Sequence, residues 1–207
     1  MTLISDEDRT RVADAITSAE AKTSGEIVAV IAPQSASYLY VPFLWGALVA
    51  LAVPFPFIFW TWWPIQHIYL LQLAVFAVVA SCLMYRPARM LLVPRSVKHS
   101  QAHRRAVEQF MAQDLYTATG RTGVLIFVSA AERYAEIIAD AGIHAKVPDS
   151  TWKAIVDDLT DEIGAGRPGD GFVRAIEAVG SHLAEHFPPG SQDSNALPNH
   201  LIVLPGA

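Results

Sequence analysis

Between Glu26 and Arg86 the sequence has no Asp, Glu, Lys or Arg. A solvated domain surface is not built without charge, so this stretch cannot be read as an ordinary soluble segment. Cysteine is almost missing as well: Cys82 stands alone, which excludes an internal disulfide framework. Basic residues do not outnumber acidic ones (15 against 20, net charge −5), so there is no global positive field for nucleic acid. The start, MTLISDEDRTRV, lacks a basic region followed by an apolar run and does not read as a cleavable signal peptide. No internal repeat or low-complexity tract is present.

The uncharged stretch holds two long apolar runs, Phe43–Trp60 (18 residues) and Gln66–Tyr85 (20 residues). As helices each would span roughly 27–30 Å, about one hydrocarbon core. The rest of the chain is too small to bury them both, so a transmembrane hairpin over 41–85 is expected. Pro54 and Pro56 should kink the end of the first helix. Trp60, Trp62 and Trp63 fall in and beside the short link, where an aromatic belt meets the membrane interface. Arg86, Arg89, Arg95, Lys98, Arg104 and Arg105 follow the second run, whereas the link carries no Lys or Arg. The positive-inside rule then puts both termini in the cytoplasm, with Arg86 and Arg89 at the headgroup level. Gly46 and Ala50 make one small-xxx-small step, through which the spans could associate with another copy or a partner.

Outside the hairpin the pattern is α/β. Residues 5–22 read as a helix, with Ser5 as its N-cap and Val12, Ala15, Ile16 and Ala19 on one face. Residues 25–32 (GEIVAVIA) form a near-continuous apolar strand of the kind covered on both faces. Residues 121–140 (RTGVLIFVSAAERYAEIIAD) read as a β-hairpin with strands at 123–129 and 133–140. Amphipathic helices are expected at 96–118 (Val107, Phe110, Met111, Asp114 and Leu115 along one mostly apolar stripe, with Gly120 following), 150–163 (Trp152, Ile155, Leu159) and 170–187 (Phe172, Ile176, Val179, Leu183). A hairpin alone is marginal in water. The economical solution is one domain made of residues 1–40 and 86–188, cut by the membrane hairpin. Residues 189–207 remain as a tail whose LIVLP (201–205) is either a short added strand or a segment touching the membrane.

The order TSGEIVAVIA, TGRTGVLIFVSAAERYAEIIADAGI, VPDSTWKAIVDDLTDEI and GDGFVRAIEAVGSHLAEHFP resembles the TPM domain family, and specifically its bacterial membrane branch, over roughly residues 5–188. The most specific portion is 119–144. The resemblance implies a three-layer α/β/α sandwich with an inserted two-helix transmembrane hairpin, in the bacterial inner membrane. Relatives of this family act either as metal-dependent phosphatases or in maintaining membrane protein complexes. A domain tethered by an inserted hairpin and lacking a recognised catalytic constellation is expected to be an accessory, assembly or maintenance factor for a membrane protein complex. The resemblance, with Asp140 and the acidic face at 157–162, implies as the alternative a Ca²⁺- or Mg²⁺-dependent phosphatase at the membrane surface. Small-molecule or lipid sensing is a third reading.

Motifs of covalent phosphatase chemistry are missing. Six residues after Cys82 stands Ala88 rather than Arg, and there is no Asp-x-Asp, Gly-x-Ser-x-Gly or P-loop lysine. Carboxylates that suit Ca²⁺ or Mg²⁺ remain. Asp157/Asp161 and Asp158/Glu162 are i,i+4 pairs on a helix, equally a solvated face. Asp140 closes a strand at a turn where open α/β sheets bind ligands, equally a capping residue. Asp170, between Gly169 and Gly171 at a helix start, is either an N-cap or a ligand. Glu26 and Glu132 match the family's GE and ER positions and read as structural ion pairs, with Arg105 or Arg133 as partners, or as site residues. His99/His103 and His182/His186 have i,i+4 spacing without an evident third ligand. The loop Gly164-Ala165-Gly166-Arg167-Pro168-Gly169 is a connector that could also cradle an anion.

Overall fold

A computed structural model describes residues 3–60, 63–113, 115, 122–189 and 199–206, with backbone alone at 58–60 and 86. The chain divides into two compact units: residues 1–36 with 99–207, and residues 37–98.

The first unit is mixed α/β. Helix α1 (Asp6–Glu20) starts at Ser5, whose Oγ accepts the Asp8 N–H at 3.0 Å. Strand β1 (Glu26–Ala32) pairs in parallel with β2 (Gly123–Ser129) along its whole length, from Glu26 opposite Gly123 to Ala32 opposite Ser129. A tight turn then sends β3 (Tyr134–Ala139) back antiparallel to β2. Strand β4 (Leu201–Val203) lies parallel to β1 on its other side, giving the sheet order β3-β2-β1-β4. The choice left open for the C-terminal LIVLP is therefore decided: the segment set apart as a tail supplies the fourth strand.

β1 and β2 are apolar at nearly every position because both faces of the sheet are covered. On one face Ile27, Ala29, Ile31, Val124, Ile126 and Val128 meet α1, α8 (Asp149–Gly164) and α9 (Pro168–His186), through residues such as Ile16, Leu159, Phe172 and Leu183. On the other face Val28, Val30, Leu125 and Phe127 meet Ala106 and Phe110 of helix α6 (Arg95–Ala112), together with Leu115. β3, at the sheet edge, is only half-buried throughout. Helices α1 and α9 approach so closely at Gly180 that a β-carbon there would stand 2.6 Å from the Ala19 methyl. A short helix α7 (Ala141–His144) follows β3; Asp114, Gly120 and the rest of 116–121 lie outside the described residues.

The second unit holds α2 (Tyr40–Ala52), α3 (Pro54–Trp60), α4 (Ile65–Met84) and α5 (Arg86–Leu92). The first apolar run is thus two helices, broken at Val53 just before Pro54, where the proline lacks the N–H that would continue the ladder. Two segments, Tyr40–Phe57 and Ile65–Met84, are long and apolar enough to cross a membrane, and only 22% and 11% of their residues are buried. α2 packs on α4 at Gly46, where a β-carbon would meet the Phe76 ring at 3.2 Å and the Ala80 methyl at 3.4 Å. The Gly46/Ala50 step, both residues buried, therefore serves contact within this unit. Trp63 is exposed and stacks on Phe57 with ring centroids 5.3 Å apart; Trp62 and the side chains of Trp60 and Arg86 lie outside the described residues. Arg89, expected among the headgroups, is 6% exposed, and its Nε has no hydrogen-bond partner among the described residues.

Candidate functional site

Parallel strands β1 and β2 end side by side at Ala32 and Ser129, and the loops that leave them, 33–36 and 130–133, meet there. In open α/β sheets this carboxyl edge is where ligands bind. The loops are joined by a buried polar knot. The Ser35 N–H donates to both Glu132 carboxylate oxygens (3.1 and 3.2 Å), and Ser35 Oγ donates to Ser129 Oγ at 2.7 Å. Ser129 Oγ donates in turn to the Glu132 carboxylate. Glu132 is 4% exposed and Ser129 fully buried, so each of these donors needs its acceptor. Both serine hydroxyl protons are committed within the knot, which makes it an anchor between two loops rather than a nucleophile with a free base.

Beside the knot, on the face covered by α8 and α9, lies a cavity of about 490 Å³. Ile31 and Val128 form its floor, Arg133 to Ala135 one wall, and Ile163, Gly164 and Gly166 from the α8–α9 connection another. Gly166 has φ 78°, a left-handed turn residue that glycine adopts without strain. Arg133 has φ 52° in the turn between β2 and β3, a conformation that is uncommon for a non-glycine residue.

Glu132 is in the knot. Arg105 lies 3.2 Å from Glu108 on its own helix, so the expected pairing of Arg105 with Glu26 or Glu132 is replaced by a local i,i+3 bridge between near neighbours. Glu26 starts β1 opposite Gly123. Asp140 is the N-cap of α7, its carboxylate accepting the Ala141 N–H. Asp157 and Asp161 are exposed on α8. Asp170 is not the cap of α9, a position held by Arg167; it lies in the first turn and bridges Arg11 of α1 at 2.6 Å. Among the described residues no three His, Cys, Asp or Glu side chains are grouped so as to hold a metal ion. Asp140, Asp157, Asp161 and Asp170 are thus not gathered into one centre.

His103 and His99, read as an i,i+4 pair, take separate partners on β3. His103 Nδ1 lies 2.9 Å from Glu136 Oε1, and the His99 ring packs 5.1 Å from the ring of Tyr134. The Tyr134 hydroxyl donates to Glu136 at 3.1 Å, and its pKa is pushed up by burial first and then by the Glu136 charge. Ser35, Ser129 and the Arg11–Asp170 pair escaped the sequence reading. Serines after a strand carry no distinctive signal, and Arg11 and Asp170 are 159 residues apart.

A second charged cluster closes the α8–α9 corner. Glu162 accepts Arg167 Nε at 2.7 Å and Arg174 Nη1 at 2.7 Å. The Arg167 hydrogen bond holds the Glu162 carboxyl below its ordinary range, and Arg11 does the same for Asp170. Carboxyls whose folded pKa is depressed stabilise above the unfolded carboxylate range, and that contribution is lost as pH falls through the folded values. Thermal unfolding of the protein in lipid nanodiscs, followed from pH 7 to pH 3, should show the midpoint falling with acid. Glu162→Gln should flatten that slope; an unchanged slope would remove Glu162 from the account.

The family described as the TPM domain matches residues 87–182, so this chain carries a TPM domain. Among solved structures it is similar to the NMR structure of the BA42 protein from the psychrophilic bacterium Bizionia argentinensis sp. nov., with a TM-score of 0.61 and 20% identity over 97% of this chain and 95% of that one. At that identity the likeness is one of fold. No curated protein sequence matches the chain.

Proposed function

We propose that this protein is a bacterial inner-membrane protein whose TPM-like domain, a three-layer α/β/α sandwich on the cytoplasmic side, is interrupted after β1 by a transmembrane hairpin. It serves as an accessory, assembly or maintenance factor for a membrane protein complex. One observation carries the membrane part of this reading. Among the described residues the exposed large apolar side chains fall between Leu39 and Leu92, Met111 excepted, and include Leu51 at 71%, Leu70 at 62% and Leu91 at 86% exposure. Apolar surface on that scale is a liability in water and is satisfied by lipid. Arg86, Arg89, Arg95 and Lys98 follow the second span and support a cytoplasmic domain by the positive-inside rule. The factor role is supported by a tethered domain in which the buried acid Glu132 is spent on joining loops. A Ca²⁺- or Mg²⁺-dependent phosphatase would need its carboxylates assembled, and Asp140, Asp157, Asp161 and Asp170 stand apart.

The test is purification in mild detergent at native expression level, with the particle sized and its components identified by mass spectrometry. A stoichiometric membrane partner is expected. A lone monodisperse species would overturn the factor role.

A further inference from the structure

The cavity at the carboxyl edge of β1 and β2 is unused by the function proposed above, and at about 490 Å³ it has the size of a small-molecule site. Ile31 and Val128 on its floor, Ala135 beside Arg133 and Ile163 on the opposite wall give it an apolar lining. Among the described residues one formal charge opens on it, that of Arg133. The Arg133 side chain is exposed and makes no ion pair among the described residues. Among the described residues no carboxylate lines the cavity, and the acids nearest in sequence are directed elsewhere. Glu132 faces Ser35 and Ser129; Glu136 faces His103 and Tyr134; Glu162 is held by Arg167 and Arg174. Arg167, the cation first associated with the glycine loop, is thereby engaged, and Arg133 takes its place across the cavity. Arg133 stands in the left-handed region at φ 52°, a backbone state that clusters at ligand sites. At the rim, Gly164 and Gly166 leave open space where side chains would otherwise stand.

We propose that this cavity binds a small amphipathic anion: one carboxylate or phosphate group held by the Arg133 guanidinium, on a compact apolar body seated against Ile31, Val128 and Ile163. An unpaired guanidinium recognises either group in a bidentate manner. The apolar floor favours a ring or short branched chain over a sugar or a polyanion.

The experiment titrates benzoate, phenyl phosphate and the neutral isostere benzamide into the full chain in phosphatidylcholine nanodiscs, by calorimetry, with empty nanodiscs subtracted. Benzoate or phenyl phosphate should bind, and benzamide should bind at least about tenfold more weakly. Arg133→Gln should weaken the anion about tenfold or more and leave benzamide unchanged, while Arg133→Lys retains part of the affinity. Ile163→Trp, which fills the cavity, should remove binding of the anions and benzamide alike. A preference for phenyl phosphate assigns the head group to phosphate and the reverse preference to a carboxylate; either result supports the site. Absence of anion binding, equal binding of benzoate and benzamide, or an Arg133→Gln protein that binds as the parent does would overturn it. Unfolding midpoints of the variants confirm that they are folded.

Discussion

Leu73→Arg is expected to remove most of the protein from the membrane-inserted fraction. Leu73 lies near the midpoint of α4 (Ile65–Met84) and is 47% exposed. On an exposed helix face in water the change would be within about 0.5 kcal/mol of neutral, and it would improve solubility. At the centre of a bilayer the same guanidinium costs about 2.5–3.5 kcal/mol on insertion scales, roughly two orders of magnitude in the insertion equilibrium. The substitution therefore separates two environments that the apolar composition of the helix alone does not. The measurement is the share of protein left in the pellet after an alkaline carbonate wash, for parent and variant expressed at equal level. The parent should stay in the pellet and the variant should be lost to the supernatant, to aggregate or to proteolysis. A parent that washes off, or a variant retained in full, would sink the membrane assignment of the hairpin.

Glu132→Ala should be the most damaging single change at the carboxyl edge of the sheet. It deprives two buried donors, the Ser35 N–H and the Ser129 hydroxyl, of their shared acceptor. An unsatisfied buried donor costs about 1–3 kcal/mol, so a loss of about 2–5 kcal/mol is expected, a large part of the stability of a domain this size. Glu132→Gln keeps one carbonyl oxygen and should lose less. Ser129→Ala removes one of the stranded donors, so the double variant Glu132→Ala/Ser129→Ala should be less unstable than the sum of the two single changes. Denaturant unfolding in nanodiscs gives the energies, and hydrogen exchange at the Ser35 amide shows whether the 33–36 loop loosens first. Strict additivity of the two changes would mean that the knot is not a coupled unit.

Several elements could be read from local pattern because they depend on neighbours in the chain. The Ser5 cap, the stripe from Trp152 to Leu159 and the apolar runs of β1 and β2 need only the helical or extended repeat and the requirement that an apolar face be covered. Pro54, just after Val53, interrupts the first long apolar run for an equally local reason. β4 was ambiguous because three apolar residues after a polar stretch fit a strand or a membrane contact equally well. Only pairing with Ala29 to Ile31 makes them a strand.

The carboxyl edge shows where sequence reading stops. Glu132 could be singled out as an acid beside an apolar strand, but besides nearby Ser129 it is met by Ser35, 97 residues away in the loop after β1. Asp170 and Arg11 pair over a still longer separation. Such contacts leave no periodicity. They arise because parallel pairing of β1 and β2 brings two distant loops to one edge, and because α1 lies against α9.

What the chain encoded on its own was the division between an uncharged hairpin and a charged α/β remainder, since the environment a segment requires follows from its own side chains. Which acids face a cation, which face a serine, and which cation is left open to a cavity depended on how the strands and helices were brought together. Charge interactions act over a few ångströms, and only folding sets those distances.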